Sequence, residues 1–307
     1  MNDSAIIMKT RTAIQHSGVV TVWGVLRFGR FIKNGIRQPE MIFKPTPKGG
    51  MQMEMKQYPI LEFDESRDAI IDPSNLIKPI DGCERCVITF FRDALEKLNA
   101  EGKLKQIATF YNETINLPIY ETNVGDKKVH VTQGFVGAPG SAALLEELIA
   151  YGFDRFIVCG GAGVLQKNIA VGHLIIPVSA VRDEGTSYHY LPPSREVECS
   201  EEAVKAIEDY FIEHNIQYIK AKTWTTDACY RETRDKAELR KLEGCVTVEM
   251  EAAAFFAVAR FRNVKLGQIL YGGDDLSGVE WDDRRWKSRD EIRSNLLDIS
   301  LRICSRM

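Results

Sequence analysis

Glu249, Met250 and Glu251 set two carboxylates around a thioether, and the Ala- and Phe-rich run that follows has the residues of a buried helix ending near Arg262. An unpaired charge beside such a helix is costly, so hydroxyl or cationic groups are expected to meet the two acids. A pentose suits this chemistry: two hydroxyls can each donate to a carboxylate while Met250 packs on the ring face. The competing reading needs no ligand, because acidic residues in a first helical turn are favoured by the helix dipole. A second acidic pair, Asp274 and Asp275, follows the apolar, β-prone stretch from Lys265 to Tyr271 and the glycines Gly272 and Gly273. It therefore falls at the C-terminal edge of a strand, where open α/β sheets bind ligands.

Two glycine clusters add an argument about anions. Gly137-Ala138-Pro139-Gly140-Ser141 opens a helix expected over 141–150, so free amides and a positive dipole end point above the loop. Gly160-Gly161-Ala162-Gly163 follows a strand and lets backbone approach a ligand closely. Tight turns without any ligand are the alternative in both places. Neither cluster has the GxxxxGK[ST] or GxGxxG spacing, which argues against a nucleoside triphosphate or a dinucleotide cofactor.

The elements that must position these residues begin at Tyr58. Residues 58–63 read as a strand, Asp72 to Asn75 as a turn, and 86–91 as a buried strand feeding a helix from Arg92 to Ala100. Further strands are expected over 106–110 and 129–133, with Gly125-Asp126 as a hairpin turn. After Pro139 strands and helices alternate, ending in an amphipathic helix over 287–303. The expected fold class is α/β, a mixed central sheet flanked by helices.

A chain of 307 residues, 44% hydrophobic and 27% charged, can bury a large core. Its net charge of -3 and pI near 6.0 give no argument for nucleic acid or for an anionic membrane surface. Seven scattered cysteines favour a reduced, cytoplasmic setting over a disulfide framework, and the lone CxxC at Cys83 and Cys86 has no second pair to make a metal site. Residues 1–56 read as a basic N-terminal extension ahead of a domain over 57–307. Three readings of the extension stay open: a segment packed on the surface or across a subunit contact, a stretch upstream of a natural start at Met51 or Met53, and a basic targeting leader.

The segment from Glu249 to Ala253, EMEAA, resembles the signature of the nucleoside phosphorylase and uridine phosphorylase superfamily. Further matches run in order: 134–148 is similar to the family's glycine-rich turn and helix, 156–177 to its central strand and loop, 181–190 to the uridine phosphorylase version of the next segment, and 224–230 to its base-site loop. The resemblance covers roughly residues 57 to 303. It implies a homo-oligomer, dimer or hexamer, acting on a small-molecule nucleoside with orthophosphate as co-substrate and no metal or organic cofactor. It further implies ribose binding by Glu249, Met250 and Glu251, a general acid at Asp274 with Asp275 beside it, and a base site at Cys229 and Tyr230, with Cys229 in place of the usual aromatic. Arg231 and Arg234 stand out of the family's register; reaching a uracil carbonyl and being solvated loop charges are both open for them.

The departures from the family concern the anion. Val158 and Gly161 stand where the resemblance places an arginine and a serine or threonine, Phe90-Phe91-Arg92-Asp93 replaces an arginine-bearing loop, and an arginine lent by a neighbouring subunit falls near Asn112. Either Arg92 or Arg67 substitutes from nearby, or phosphate is held mainly by backbone amides, with Gly137, Gly160 and Gly161 the candidates, or water replaces it. His189 reads as structural, and Pro59 stands where the resemblance places a histidine for the ribose 5′-hydroxyl. The expected activity is phosphorolysis of a uridine or purine nucleoside to free base and pentose 1-phosphate. A nucleosidase using water, and a non-catalytic nucleoside-binding protein, are the alternatives.

Overall fold

Cys86, Val87 and Ile88 are fully buried in β1 (Arg85–Thr89), as expected of a strand covered on both faces. In this computed structural model, which describes residues 53–307, β1 lies parallel to both β4 (Lys127–Gln133) and β5 (Arg155–Val164). β3 (Asn116–Val124) and β2 (Lys105–Tyr111) extend this side as an antiparallel wing, turning into β4 through Gly125 at φ 63°. The basic N-terminal extension read over 1–56 lies almost entirely outside the described residues.

The sheet closes on its other side. β10 (Lys265–Asp275) pairs parallel with β5, from Lys265 opposite Arg155 to Gly272 opposite Ala162. β6 (Leu174–Asp183), β8 (Tyr218–Thr226) and β9 (Cys245–Glu249) follow in parallel, with β7 (Glu196–Glu198) at the margin of β6. Two short antiparallel joints complete a ring: Gly163 of β5 opposite Val248 of β9, and Leu270 of β10 opposite Ile175 of β6. The sheet is mixed and flanked by helices, as expected, but it is a closed ring with a wing rather than an open sheet. One consequence matters for the site: the ends of β5, β9 and β10 converge.

α5 (Ala252–Arg262) enters this fold through small and aromatic residues, with everything from Ala252 to Ala259 buried. Burying Phe255 and Phe256 contributes roughly 1.5–3 kcal/mol each. Asn263 in the left-handed conformation stops the helix. α2 (Ala138–Tyr151) packs against α5 and starts ahead of the expected 141, because Pro139 is preorganised for a first helical turn. α1 (Arg92–Ala100) and α6 (Asp290–Cys304) pack together, α6 lying against β1 and β5, while α3 (Glu201–Glu213) covers β10. α4 (Arg234–Leu242) packs against β9.

Three local expectations change. The segment 58–63 is a 3-10 turn over Pro59–Leu61, where proline holds φ and offers no N–H to a ladder. The last helix starts at Asp290, after a separate 3-10 turn over Trp286–Ser288. The second glycine cluster lies inside β5 rather than after it. Cys83 and Cys86 are separate buried thiols, burial pushing Cys83 up to about 11. Among the described residues no helix is long and apolar enough to cross a membrane, and no group of three or more His, Cys, Asp or Glu is placed to hold a metal ion.

Candidate active site

Glu249 is the last residue of β9, and its register neighbour on β8 is Thr225. The Thr225 hydroxyl donates to Glu249 Oε1 at 2.6 Å, and the amides of Glu251 and Ala252 donate to Oε2 at 2.7 and 2.6 Å. The carboxylate thus sits at the N-terminus of α5, satisfying amides that the helix leaves unpaired. Burial pushes its pKa above the usual carboxylate range, although these donors oppose the shift. Burial raises Glu251 as well, with the charge of Glu249 adding to it. Glu251 faces another way: its Oε1 accepts the Gly137 amide at 2.7 Å, tying the start of α5 to the start of α2.

A cavity of about 920 Å³ opens where the three strands converge. β5 supplies Gly161 and Gly163, β9 supplies Val248 and Glu249 with Met250 just beyond it, and β10 supplies Asp274. Asp274 Oδ2 accepts the indole N–H of Trp281 at 2.7 Å, and Trp281 also lines the cavity. Asp275 does not. It is ion-paired with Arg284 and accepts the Ser277 amide at 2.7 Å; burial opposes its ionisation, but these contacts outweigh it and hold the carboxyl below its ordinary range. The two neighbours therefore have different surroundings, and only Asp274 faces the cavity.

Of the residues expected at a base site, Cys229, Tyr230 and Arg234 line the cavity and Arg231 does not. Arg234 is already engaged, donating to the carbonyl oxygens of Gly278 and Val279. Several lining residues were not legible as site residues in the sequence, Glu232, Trp281, Arg285 and Trp286 among them. Glu232 is half-buried; burial and then the charge of Asp274 push it up to about 7. Its place two residues beyond Tyr230 in a charged run was the one available signal. Arg284 and Arg285 both have left-handed backbones, φ 46° and 51°; Arg284 bonds Asp275, whereas Arg285 lines the cavity.

The anion residues are dispersed. Arg67 donates to the Phe261 carbonyl at 2.7 Å and lies over that ring, and Arg92 is exposed beside Glu96 at 3.7 Å; neither lines the cavity. The Gly137 amide is taken by Glu251. A Cβ on Gly160 would lie 3.2 Å from the Phe90 ring, and one on Gly161 would lie 3.1 Å from the Tyr271 ring. The Tyr271 hydroxyl donates to the Trp286 carbonyl at 3.0 Å. Glycines at 160 and 161 thus admit two aromatic rings against the strand.

The model of a family described as the phosphorylase superfamily matches residues 84–302. A guanosine phosphorylase of Halorubrum lacusprofundi is 29% identical over 167 residues, 51% of this chain and 68% of its own. A uridine phosphorylase of Thermococcus kodakarensis is 28% identical over 190 residues, 54% of this chain and 67% of its own. Among solved structures, a purine nucleoside phosphorylase from Toxoplasma gondii in complex with immucillin-H superposes with a TM-score of 0.63, covering 76% of this chain and 92% of the other at 20% identity. That likeness is one of fold. With a family model matched across well over half of its length, the chain belongs to the phosphorylase superfamily.

Proposed function

We propose that the protein cleaves the N-glycosidic bond of a nucleoside in this cavity and transfers the pentose to orthophosphate, giving free base and pentose 1-phosphate. The observation that carries the reading is the convergence of Glu249 and Met250 with Asp274 on one cavity, through the pairing of Gly163 with Val248 and of Ala162 with Gly272. The C1′–N bond breaks through a cationic sugar, so the rate depends on stabilising that cation and neutralising the charge left on the base. Carboxylates line the cavity from Glu232, Glu249, Asp274, Glu280 and Asp283, against the guanidiniums of Arg234 and Arg285. Such a surround favours a developing cation. Glu249 and Met250 meet the pentose, Glu251 supports them through Gly137, and Asp274 meets the departing base. Orthophosphate attacks C1′ from the face opposite the base. The same reading carries a cytoplasmic homo-oligomer whose catalytic domain spans 57–307.

A second reading, hydrolysis, is favoured by the Phe90 and Tyr271 rings packed over Gly160 and Gly161 and by the engagement of Arg67 and Arg92 elsewhere. Water needs no cationic cradle. Release of base from uridine, thymidine, inosine, guanosine and adenosine, each with and without orthophosphate, separates the two. Release only with phosphate supports phosphorolysis; release without it establishes hydrolysis; no release from any nucleoside overturns both.

A further inference from the structure

We infer that Glu232 is a specificity-determining residue: it makes the cavity prefer a base that presents an amino group beside a ring-nitrogen acceptor, as a 6-aminopurine does, over the 6-oxo counterpart. The inference rests on the reading that the cavity takes a nucleoside.

Glu232 and Asp274 both line the cavity, and they are near enough that the charge of Asp274 bears on Glu232. They differ in what they have. Asp274 receives the Trp281 indole N–H, whereas the Glu232 carboxyl makes no hydrogen bond and no ion pair among the described residues. The nearby Arg234 guanidinium is held by the Gly278 and Val279 carbonyls and does not neutralise it. A half-buried carboxyl without a donor is costly, and the cost is recovered when a ligand brings an N–H to it. A solvated surface glutamate would show no such rise in proton affinity as burial gives this one.

The ligand edge follows from having two neighbouring carboxyls with different tasks. On adenine, the N7 acceptor and the N6 amino donor lie side by side; on hypoxanthine or guanine, N7 and O6 are both acceptors. With the proton of the pair on Asp274, which donates to N7, an ionised Glu232 accepts from an amino group at C6 and repels an oxygen there. A site built to accept from a substrate N–H discriminates strongly against the analogue that lacks it.

The test is a titration of the full chain with adenosine and with inosine at pH 8.5 in phosphate-free buffer, read by the initial change in tryptophan fluorescence, since Trp281 and Trp286 line the cavity. Adenosine is expected to bind at least about tenfold tighter, and Glu232→Gln, whose amide both donates and accepts, to bring the two within about threefold. Equal or tighter binding of inosine overturns the inference while leaving glycosidic cleavage standing. An undiminished preference in Glu232→Gln does the same, whereas failure of both nucleosides to bind overturns the inference together with the reading of a purine nucleoside site. Because the readout is binding, a protein that released no base would still report the preference.

Discussion

The carboxylate of Glu251 accepts the backbone amide of Gly137 at 2.7 Å, joining residues 114 apart in the chain. Gly137 is the N-cap of α2, with φ 95°, and Glu251 is the N-cap of α5. One acid therefore sits at the positive ends of two helices, a placement the helix dipole favours. Glu251→Ala is expected to lower stability by about 1–3 kcal/mol, because the part-buried Gly137 amide is left without an acceptor. Glu251→Gln keeps an acceptor oxygen and is expected to lose less. Denaturant unfolding of the two variants checks the order.

Asp274 is the cavity-facing member of the Asp274-Asp275 pair, and Asn in its place can still accept the Trp281 indole N–H. Asp274→Asn is therefore expected to fold normally while lowering turnover at least about a hundredfold. Base release and thermal melting, measured on the same preparation, check both halves; near wild-type turnover would sink the role given to Asp274.

Gly161 lies under the Tyr271 ring, with 3.1 Å between its virtual Cβ and the ring carbons. Tyr271 is fully buried and its hydroxyl is bonded, so the ring has little freedom to withdraw. Gly161→Ser is expected to destabilise the fold by about 1–3 kcal/mol through overpacking. If thermal unfolding of Gly161→Ser matched wild type, the ring would not be the obstacle described.

Glu232 has a folded pKa raised to about 7 by burial, then by the charge of Asp274. For a carboxyl raised above its unfolded value, the associated stability is complete below about pH 4.5 and is lost as pH rises through about 7. Glu232→Gln removes that loss. The variant is expected to gain in melting temperature relative to wild type between pH 4 and pH 8, with little difference at pH 4. Parallel melts at the two pH values check the sign.

How much of this was legible beforehand differs from residue to residue. The run from Glu249 to Arg262 reads directly as an acidic turn entering a buried helix, and β10 as the strand that carries Asp274, because period and composition are local properties. The resemblance of 224–230 to a family loop brought Cys229 and Tyr230 into view, and both line the cavity with Arg234, while Arg231 does not. Which way each side chain faces was not local. Asp275 turns to Arg284 because β10 is irregular between Gly272 and Asp275, and Glu251 turns to Gly137 because α2 and α5 pack with their starts together. Arg67 and Arg92 were plausible anion ligands by type alone, and packing places them at Phe261 and Glu96. Glu232 became visible only once the closed ring joined β5, β9 and β10, since a lone glutamate in a charged loop carries no signal until a cavity half-buries it. The sequence by itself determined the chemical types and the elements that carry them. The tertiary structure decided which of those groups share one enclosed space, because long-range strand pairing and helix packing, rather than local periodicity, set those distances.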